Sequence, residues 1–459
     1  MKESSTYICI CGIFFVPLQR NLVYCAKTIQ QSKNVMNVSV NHMNFDNIEV
    51  NQDWAFENVR STEQWTHGYH RYPAKFLPNV VKKIIEDYAP DCEMIADLFA
   101  GCGTTLVEAK IHGKSSVGTD INPVAQLITK VKTTPLVPEQ LQRAYDALIA
   151  QFDGFVEADF AAIQKHERLD YWFFPDNKAK IAFLYEAISH LDAEESIKDF
   201  FYVCISHILK NCSRWLQTST KPQVDPVKVI PDPFDEFKRH CQKMLKSNEE
   251  FYAKLKADRH LDVPCEILLE DARKTTIGSE SVDMIITSPP YVTSYEYADI
   301  HQLTGYWMEY IKDIHDFRKQ FIGTSYSGNK SLAVTGSKQA QEIVDALAKE
   351  GKHIAEDVAQ YFNDMYDVAK EMHRILKPGG YACIVIGNTK IKEVQIKSAE
   401  VFYEFLQNVG LGEVSVIKRS IPCKLMPTLR DKTTGKFTKL DNPNCNKVYP
   451  NEYIIIMQK

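Results

Sequence analysis

No stretch of this sequence is long and apolar enough to suggest a membrane span. The longest apolar run, YICICGIFFVPL at 7–18, falls short of the roughly 20 residues a bilayer requires. Its flank MKESST has one lysine and no small-residue cleavage pattern follows, so a secretory leader is not indicated. No C-x-x-C pair occurs among the twelve cysteines. That argues against a zinc knuckle, another metal site or a disulfide frame, and for reduced thiols in a cytosolic protein. Positive charge is not in excess either: the net charge is −5 over 459 residues, so any nucleic-acid contact must come from local basic faces. No internal repeat of fixed period occurs. Residues 1–45 show no periodicity and are read as a poorly ordered extension, or as sequence ahead of a start at Met36 or Met43.

The remainder alternates strands and helices. EMIADLF (93–99), KSSVGTD (114–120), CEILLED (265–271), SVDMIITS (281–288), YACIVIG (381–387), EVSVIKRSI (413–421) and EYIIIMQ (452–458) read as strands. Helices are expected from Thr105 to about His112, over NPVAQLITKV (122–131), and from Glu356 to Leu376, where apolar residues recur at helical spacing. LKPGG then turns the chain into the fifth strand. The expected fold is α/β: a Rossmann-like, seven-stranded, mostly parallel sheet with helices on both faces. One segment departs from this. Between Thr134 and Ala257 helical patterns predominate, in IKDFFYVCISHILKNCSRWL (197–216) and in FDEFKRHCQKMLKSNEEFYAKLKA (234–257), with a four-proline extended connector between them. This gives an organisation of 46–135 (first part of the sheet domain), 136–258 (helical insertion, candidate target-recognition region) and 259–459 (second part).

DLFAGCGTT (97–105) joins the first strand to its helix. Gly101 and Gly103 permit a tight turn and close approach of a ligand, and the following helix offers free N–H groups. Asp120 ends the next strand, where an acid can bind ribose hydroxyls. The G-K-[ST] of a phosphate loop is absent and position 106 is Leu, so G-x-G-x-x-G is absent too. A nucleoside without phosphate fits better than ATP or NAD, and S-adenosylmethionine is such a ligand.

IITSPPYVTSYEYADIHQL (285–303) ends an apolar strand in two prolines and an aromatic. Prolines donate no backbone hydrogen bond, so they stiffen the turn and leave carbonyls outward. The Ser288 hydroxyl and the Pro289 carbonyl are two fixed acceptors, suited to an amino group. An exocyclic base amine is a poor nucleophile because its lone pair is delocalised into the ring. Accepting its protons as the nitrogen becomes tetrahedral restores nucleophilicity, while Tyr291 stacks on the base.

TSPPY, DLFAGCGTT and HGYHRYPAKFLP (67–78) resemble the motifs of amino-methylating DNA methyltransferases, particularly those forming N4-methylcytosine in restriction–modification systems. The resemblance covers roughly 50–459 and implies a class I methyltransferase fold, S-adenosylmethionine as cofactor and S-adenosylhomocysteine as product. It implies that Ser288, Pro289, Pro290 and Tyr291 are catalytic. The cofactor would lie on Asp97, Phe99, Gly101, Cys102, Gly103, Thr104, Thr105, Asp120 and Asn122, with Asp271 and Ala272 of EDAR, and with Tyr72, Pro73, Ala74, Lys75 and Phe76 against its methionine part. The implied partners are duplex DNA with a flipped base and a cognate restriction endonuclease, in a prokaryotic cytoplasm at the nucleoid. The glycine turn precedes the proline loop with the insertion between them, an order that resembles the subgroup with target recognition between the two motifs. Serine at the head of the loop favours cytosine; Asp or Asn is commoner for N6-adenine, and adenine stays open, as does a base amine in RNA. A non-catalytic nucleic-acid-binding module is the reading from a different class. Cytosine C5 chemistry needs a cysteine nucleophile. Pro264–Cys265, Pro422–Cys423 and Glu57-Asn58-Val59 are misplaced for it.

For DNA contact, residues 418–439 hold seven basic residues against one acid, with Phe437 interleaved. The insertion adds Lys210, Arg214, Lys221 and Lys228 around Trp215, and the loop FRKQFIGTSYSGNKS (317–331) is expected to close over a flipped nucleotide. His301 and Trp307, just after the proline loop, read as packing residues of the next helix.

Overall fold

The computed structural model describes residues 45–57, 59, 61–73, 75–160, 163, 166–292, 296–326, 331–421, 429–431, 438, 441–447 and 451–459. The chain divides into two units, Met1–Asn47 and Ile48–Lys459. In the first, Phe45–Asn47 forms a 3-10 turn; the rest of the expected extension lies outside the described residues.

In the second unit, seven strands form one sheet. They are β1 (Met94–Asp97), β2 (Ser115–Asp120), β3 (Cys265–Leu269), β4 (Val282–Thr287), β5 (Leu376–Ile386), β8 (Gly412–Ser420) and β11 (Asn451–Gln458). Two short hairpins account for β6 (Thr389–Ile391) with β7 (Val394–Ile396), and β9 (Leu429–Asp431) with β10 (Cys445–Lys447). The order is β3-β2-β1-β4-β5-β11-β8. The first five strands run parallel, and β11 is antiparallel to both its neighbours. The expected seven-stranded, mostly parallel α/β sheet is therefore the observed one. Its central strands are apolar on both faces: Val282, Met284, Ile285 and Ile286 of β4 have no exposed surface, as suits strands covered by helices on both sides.

Strand ends agree with the sequence reading to within a residue or two, except at β5. Leu376 already pairs with Val282, but the next pair is Met284 with Tyr381, so LKPGG bulges out of the ladder. Gly379 takes φ +82° there, and its N–H reaches the carbonyl of Lys459.

Helices α1 (Pro78–Tyr88), α2 (Thr104–Ile111) and α3 (Pro123–Thr133) flank β1 and β2. The insertion supplies α4 (Pro138–Ile149), α5 (Pro175–Ser189), α6 (Glu195–Leu209) and α7 (Pro233–Asp258). Its apolar faces share a single core with α3: Leu127 and Ile128 cluster with Trp172, Phe200 and Phe237. The insertion thus packs directly on the sheet domain. A second helical excursion between β4 and β5 supplies α8 (Gln302–Trp307), the helix expected after the proline loop, and α9 (Lys338–Glu350), which the sequence reading lacks. It precedes α10 (Lys352–Ile375), and α11 (Ser398–Asn408) follows β7.

From β1 the chain winds outward to β2 and β3; from β4 it winds the other way to β5. The crevice between the C-terminal ends of β1 and β4 is the topological switch point, where open α/β sheets bind ligands.

Candidate active site

The glycine turn lies at that crevice. Gly101 has φ +52° and Gly103 φ +75°, left-handed values that cost a side-chain-bearing residue about 1–2 kcal/mol. Asp120, at the tip of β2, accepts from Gly101 N at 2.9 Å and from Asn122 N at 2.8 Å, binding the two strand tips together. Each oxygen retains a lone pair for a ligand hydroxyl. Asp97 accepts from Thr287 Oγ1 at 2.6 Å and from Phe99 N at 3.0 Å. Burial raises both carboxyls to about 6, against the opposing pull of those hydrogen bonds.

Helix α3 supports the turn from beneath. Thr129 Oγ1 donates to the Gly101 carbonyl at 3.1 Å, and Lys132 Nζ to the Cys102 carbonyl at 2.6 Å. Cys102 is itself buried, with Sγ 3.7 Å from Thr104 Oγ1, and Thr105 Oγ1 donates to Ile286 O of β4 at 3.3 Å. Lys132 was not visible as a site residue in sequence because it reads as one more lysine at a helix end. It is wholly buried, and burial lowers its ammonium to about 8. Lys132→Met is expected to weaken S-adenosylhomocysteine binding several-fold by freeing the Cys102 carbonyl. It also carries a pH signature. The folded pKa lies below the unfolded value, so between about 8 and 10.5 the unfolded chain binds more protons and wild type gains stability as pH rises. Denaturant melts at pH 7.5 and pH 10 (roughly the bounds of that window) should show wild type gaining on Lys132→Met by on the order of 1–3 kcal/mol. A pH-independent difference contradicts the assignment.

The HGYHRYPAKF segment divides. Tyr72 lies on the turn: a Cβ at position 101 would sit 3.5 Å from its ring. Burial and the Asp120 charge push its phenol well above the usual range. Lys75 Nζ instead donates to Thr62 O and His67 O, and Phe76 packs into the apolar cluster beneath α1. Pro73 is half-buried beside them, and Ala74 lies outside the described residues. Asp271 is held bidentately by Arg273, which also reaches Asp364 at 2.7 Å; Ala272 is buried.

The proline loop leaves β4 one residue beyond Thr287, so the Thr287–Asp97 bond places Ser288 at the strand tip adjoining the glycine turn. Ser288 is half-buried, and no hydrogen bond among the described residues takes up its hydroxyl or the Pro289 carbonyl. The next carbonyl, of Pro290, accepts from Tyr361 of α10 at 2.9 Å. Tyr291 is anchored at both edges. Its hydroxyl donates to Glu452 at 3.2 Å, and its ring lies where a Cβ on Gly387 would come within 3.1 Å. Glu452 in turn pairs with buried Arg419, whose Nε donates to Trp54 O at 2.7 Å. Of the loop expected to close over the site, residues 327–330 lie outside the described residues. Thr324 contacts Glu296 just beyond the catalytic loop, and Gly323 lies close to the Tyr291 carbonyl.

The expected DNA contacts fare less evenly. Lys210 donates to the carbonyls of Gln217 and Ser219, and Lys228 to those of Lys210, Ser213 and Trp215. Both therefore staple the loop after α6. Trp215 is buried and stacked on Trp172. Arg214 is the exception, lying over the exposed rings of Tyr171 and Phe174, with Arg168 on Tyr171 as well. Of the basic stretch 418–439, residues 422–428, 432–437 and 439 lie outside the described residues. Trp307 packs on Phe173 and Tyr185 as expected of a core residue.

A family model described as DNA methylase matches residues 17–130 and 282–459. The chain belongs to the DNA methylase family. The two matched segments hold the glycine turn and the proline loop, and the stretch between them holds the insertion. Curated relatives include the Type II methyltransferase M.MvaI of Kocuria varians, 26% identical over 411 residues, which cover 83% of this chain and 90% of that protein. The Type II methyltransferase M.BsoBI of Geobacillus stearothermophilus is 24% identical over 387 residues, covering 71% and 75%. Among solved structures, a SAM-dependent methyltransferase of Methanosarcina mazei aligns over 85% of this chain and 98% of its own, at 10% identity and a TM-score of 0.27. This DNA methylase has no described helix long and apolar enough to cross a membrane, and its described residues form no cluster fit to hold a metal ion.

Proposed function

We propose that the chain moves a methyl group from S-adenosylmethionine to the N4 amine of cytosine flipped from duplex DNA, as the modification enzyme of a restriction–modification or defence system. The observation that supports this most is the acceptor pair Ser288 Oγ and Pro289 O, uncommitted among the described residues and beginning one residue beyond a strand end hydrogen-bonded to the tip that bears the glycine turn. The residues present fit the donor. A left-handed glycine turn, a carboxylate with spare lone pairs at Asp120 and an aromatic wall at Tyr72 suit a nucleoside, and a phosphate-binding cation is not needed. Phe99, Thr104 and Asn122 complete that side. When bound, the donor supplies an electrophilic methyl on a sulfonium. The chain's own residues do the rest. Ser288 and Pro289 accept the amine's protons and localise its lone pair. Tyr291, fixed by Glu452 and Gly387, offers its face to the base, and Tyr361 keeps the loop from relaxing. Serine at the head of the loop is a neutral acceptor, which supports cytosine over adenine N6.

Residues 136–258 are the proposed target-recognition region, with Arg168 and Arg214 on exposed aromatic rings as its DNA-facing cations. A chromosomal substrate implies work in a prokaryotic cytoplasm, at the nucleoid, alongside a nuclease of the same specificity. Purified protein incubated with labelled S-adenosylmethionine should label duplex DNA and leave RNA of the same sequence unlabelled. Labelling of RNA alone overturns the substrate assignment.

A further inference from the structure

Three cations meet where the loop after α6 reaches the segment that carries Tyr72. Arg71 is exposed, and its Nη1 donates to Asn211 Oδ1 at 3.2 Å and to Gln217 Oε1 at 3.5 Å. Both partners are neutral amides, so they aim the guanidinium without cancelling its charge. Arg71 makes no ion pair among the described residues, and neither do Lys210 and Lys228, which hold only carbonyls of the same loop. Burial lowers both ammonium groups to about 8, and the Arg71 charge pushes each in the same direction. The acids at this corner are otherwise engaged. Glu236 accepts from Asn211 Nδ2 at 2.8 Å but is clasped by Arg239 at 2.6 Å. Asp225 offsets Lys228 from a distance and accepts from Val227 N at 3.2 Å. Like charges held together by carbonyl and amide oxygens repel one another, and an anion relieves that repulsion.

The backbone fixes where that anion would lie. Arg71 N donates to His207 Nδ1 of α6 at 3.3 Å, and His207 stacks on His240 of α7 with ring centroids 3.5 Å apart. The next residue, Tyr72, covers Gly101 and packs 4.9 Å from His301 at the start of α8. Arg71 therefore stands at the seam between the insertion and the crevice, on the outer side of the wall that Tyr72 forms. A base extruded from a duplex brings its own phosphodiester to the rim of the pocket it enters. The exposure of Arg71 and Gln217 suits a polymer backbone passing over the surface. Nε and Nη2 of Arg71 have no partner among the described residues, and a guanidinium edge of that kind matches two oxygens of one phosphate.

We propose that Arg71, in the field of Lys210 and Lys228, grips a phosphodiester of the DNA strand whose base is flipped, an inference that rests on the DNA substrate proposed above. The test is fluorescence anisotropy over a series of salt concentrations, with the whole chain, S-adenosylhomocysteine and a short duplex that wild type methylates. Arg71→Gln and Arg71→Ala should each weaken binding roughly tenfold, the factor that one charge-assisted contact corresponds to. Each should also make the fall of log affinity with log salt shallower by about 0.9, one phosphate contact's worth. Arg71→Lys should restore the slope, which a purely structural role would not do. Neutralising target-strand linkages one at a time as methylphosphonates should weaken wild type, but not Arg71→Gln, at a linkage beside the methylated base. An unchanged slope in either folded variant overturns the proposal, as does Arg71→Gln responding like wild type at every linkage. Wild type that binds no duplex DNA, or RNA alone, would instead overturn the substrate reading itself.

Discussion

Ser288→Ala is expected to reduce kcat for DNA methylation by roughly 10²–10³, the range found when one preorganised group is removed from a site of charge development. Affinity for S-adenosylhomocysteine should stay within about twofold of wild type. The separation follows from the geometry. Ser288 lies beyond Thr287, whose hydroxyl makes the structural bond to Asp97, and its own hydroxyl supports no described element of the fold. Deleting it leaves the β1–β4 join and the glycine turn intact while removing one of the two acceptors that localise the amine lone pair. Single-turnover measurements with saturating donor give the chemical step; equilibrium titration gives the binding. Loss of binding with the chemical step preserved would reverse the role assigned to this residue.

Gly103→Ala is expected to do the opposite. A methyl at that position would lie 2.7 Å from Thr129 Cγ2 and 2.9 Å from Thr129 Oγ1, on backbone at φ +75°. Something must shift, and the side chain in the way is the one that holds the Gly101 carbonyl. Strain of about 1–2 kcal/mol adds to displacement of that contact. We expect at least a tenfold loss of S-adenosylhomocysteine affinity and about 2–3 kcal/mol lower stability, the usual range for strain plus a lost contact. Gly103→Ala with Thr129→Ala should be less damaging than the sum of the two single changes, because the clash and the contact share one side chain. Strict additivity in calorimetry and denaturant melts would show that Thr129 does not buttress the turn.

Much of this site could be read without coordinates because its parts are local. The glycines of AGCGTT, the acid ending KSSVGTD and the prolines of TSPPY each sit at a strand end, and the sheet brings strand ends together whatever lies between. The supports were not legible for the same reason. Lys132, Tyr361 and Glu452 meet the turn or the loop, and Arg419 meets Glu452, only through contacts across the fold, and each looks ordinary in its own segment. Basic residues misled most. Lys210 and Lys228 resemble phosphate contacts in sequence, yet a lysine beside a loop of unpaired carbonyls is as useful for capping them. The helix Lys338–Glu350 went unread because its strong start signal, Ser337 accepting from Ala340 N, follows a polar stretch that reads as loop. In the HGYHRYPAKF run, Tyr72 reaches the turn while Lys75 and Phe76 are taken up by backbone carbonyls and by packing.

The central claim is that a proline-framed pair of oxygens makes a nucleobase amine nucleophilic beside the donor. Its most direct test is nucleoside mass spectrometry of duplex DNA after incubation with the protein and methyl-labelled S-adenosylmethionine. The label should appear in N4-methyldeoxycytidine and vanish with Ser288→Ala; appearance in N6-methyldeoxyadenosine would keep the chemistry and change the base. Label found only in 5-methyldeoxycytidine would contradict the account, because carbon methylation has no use for acceptors aimed at an amine.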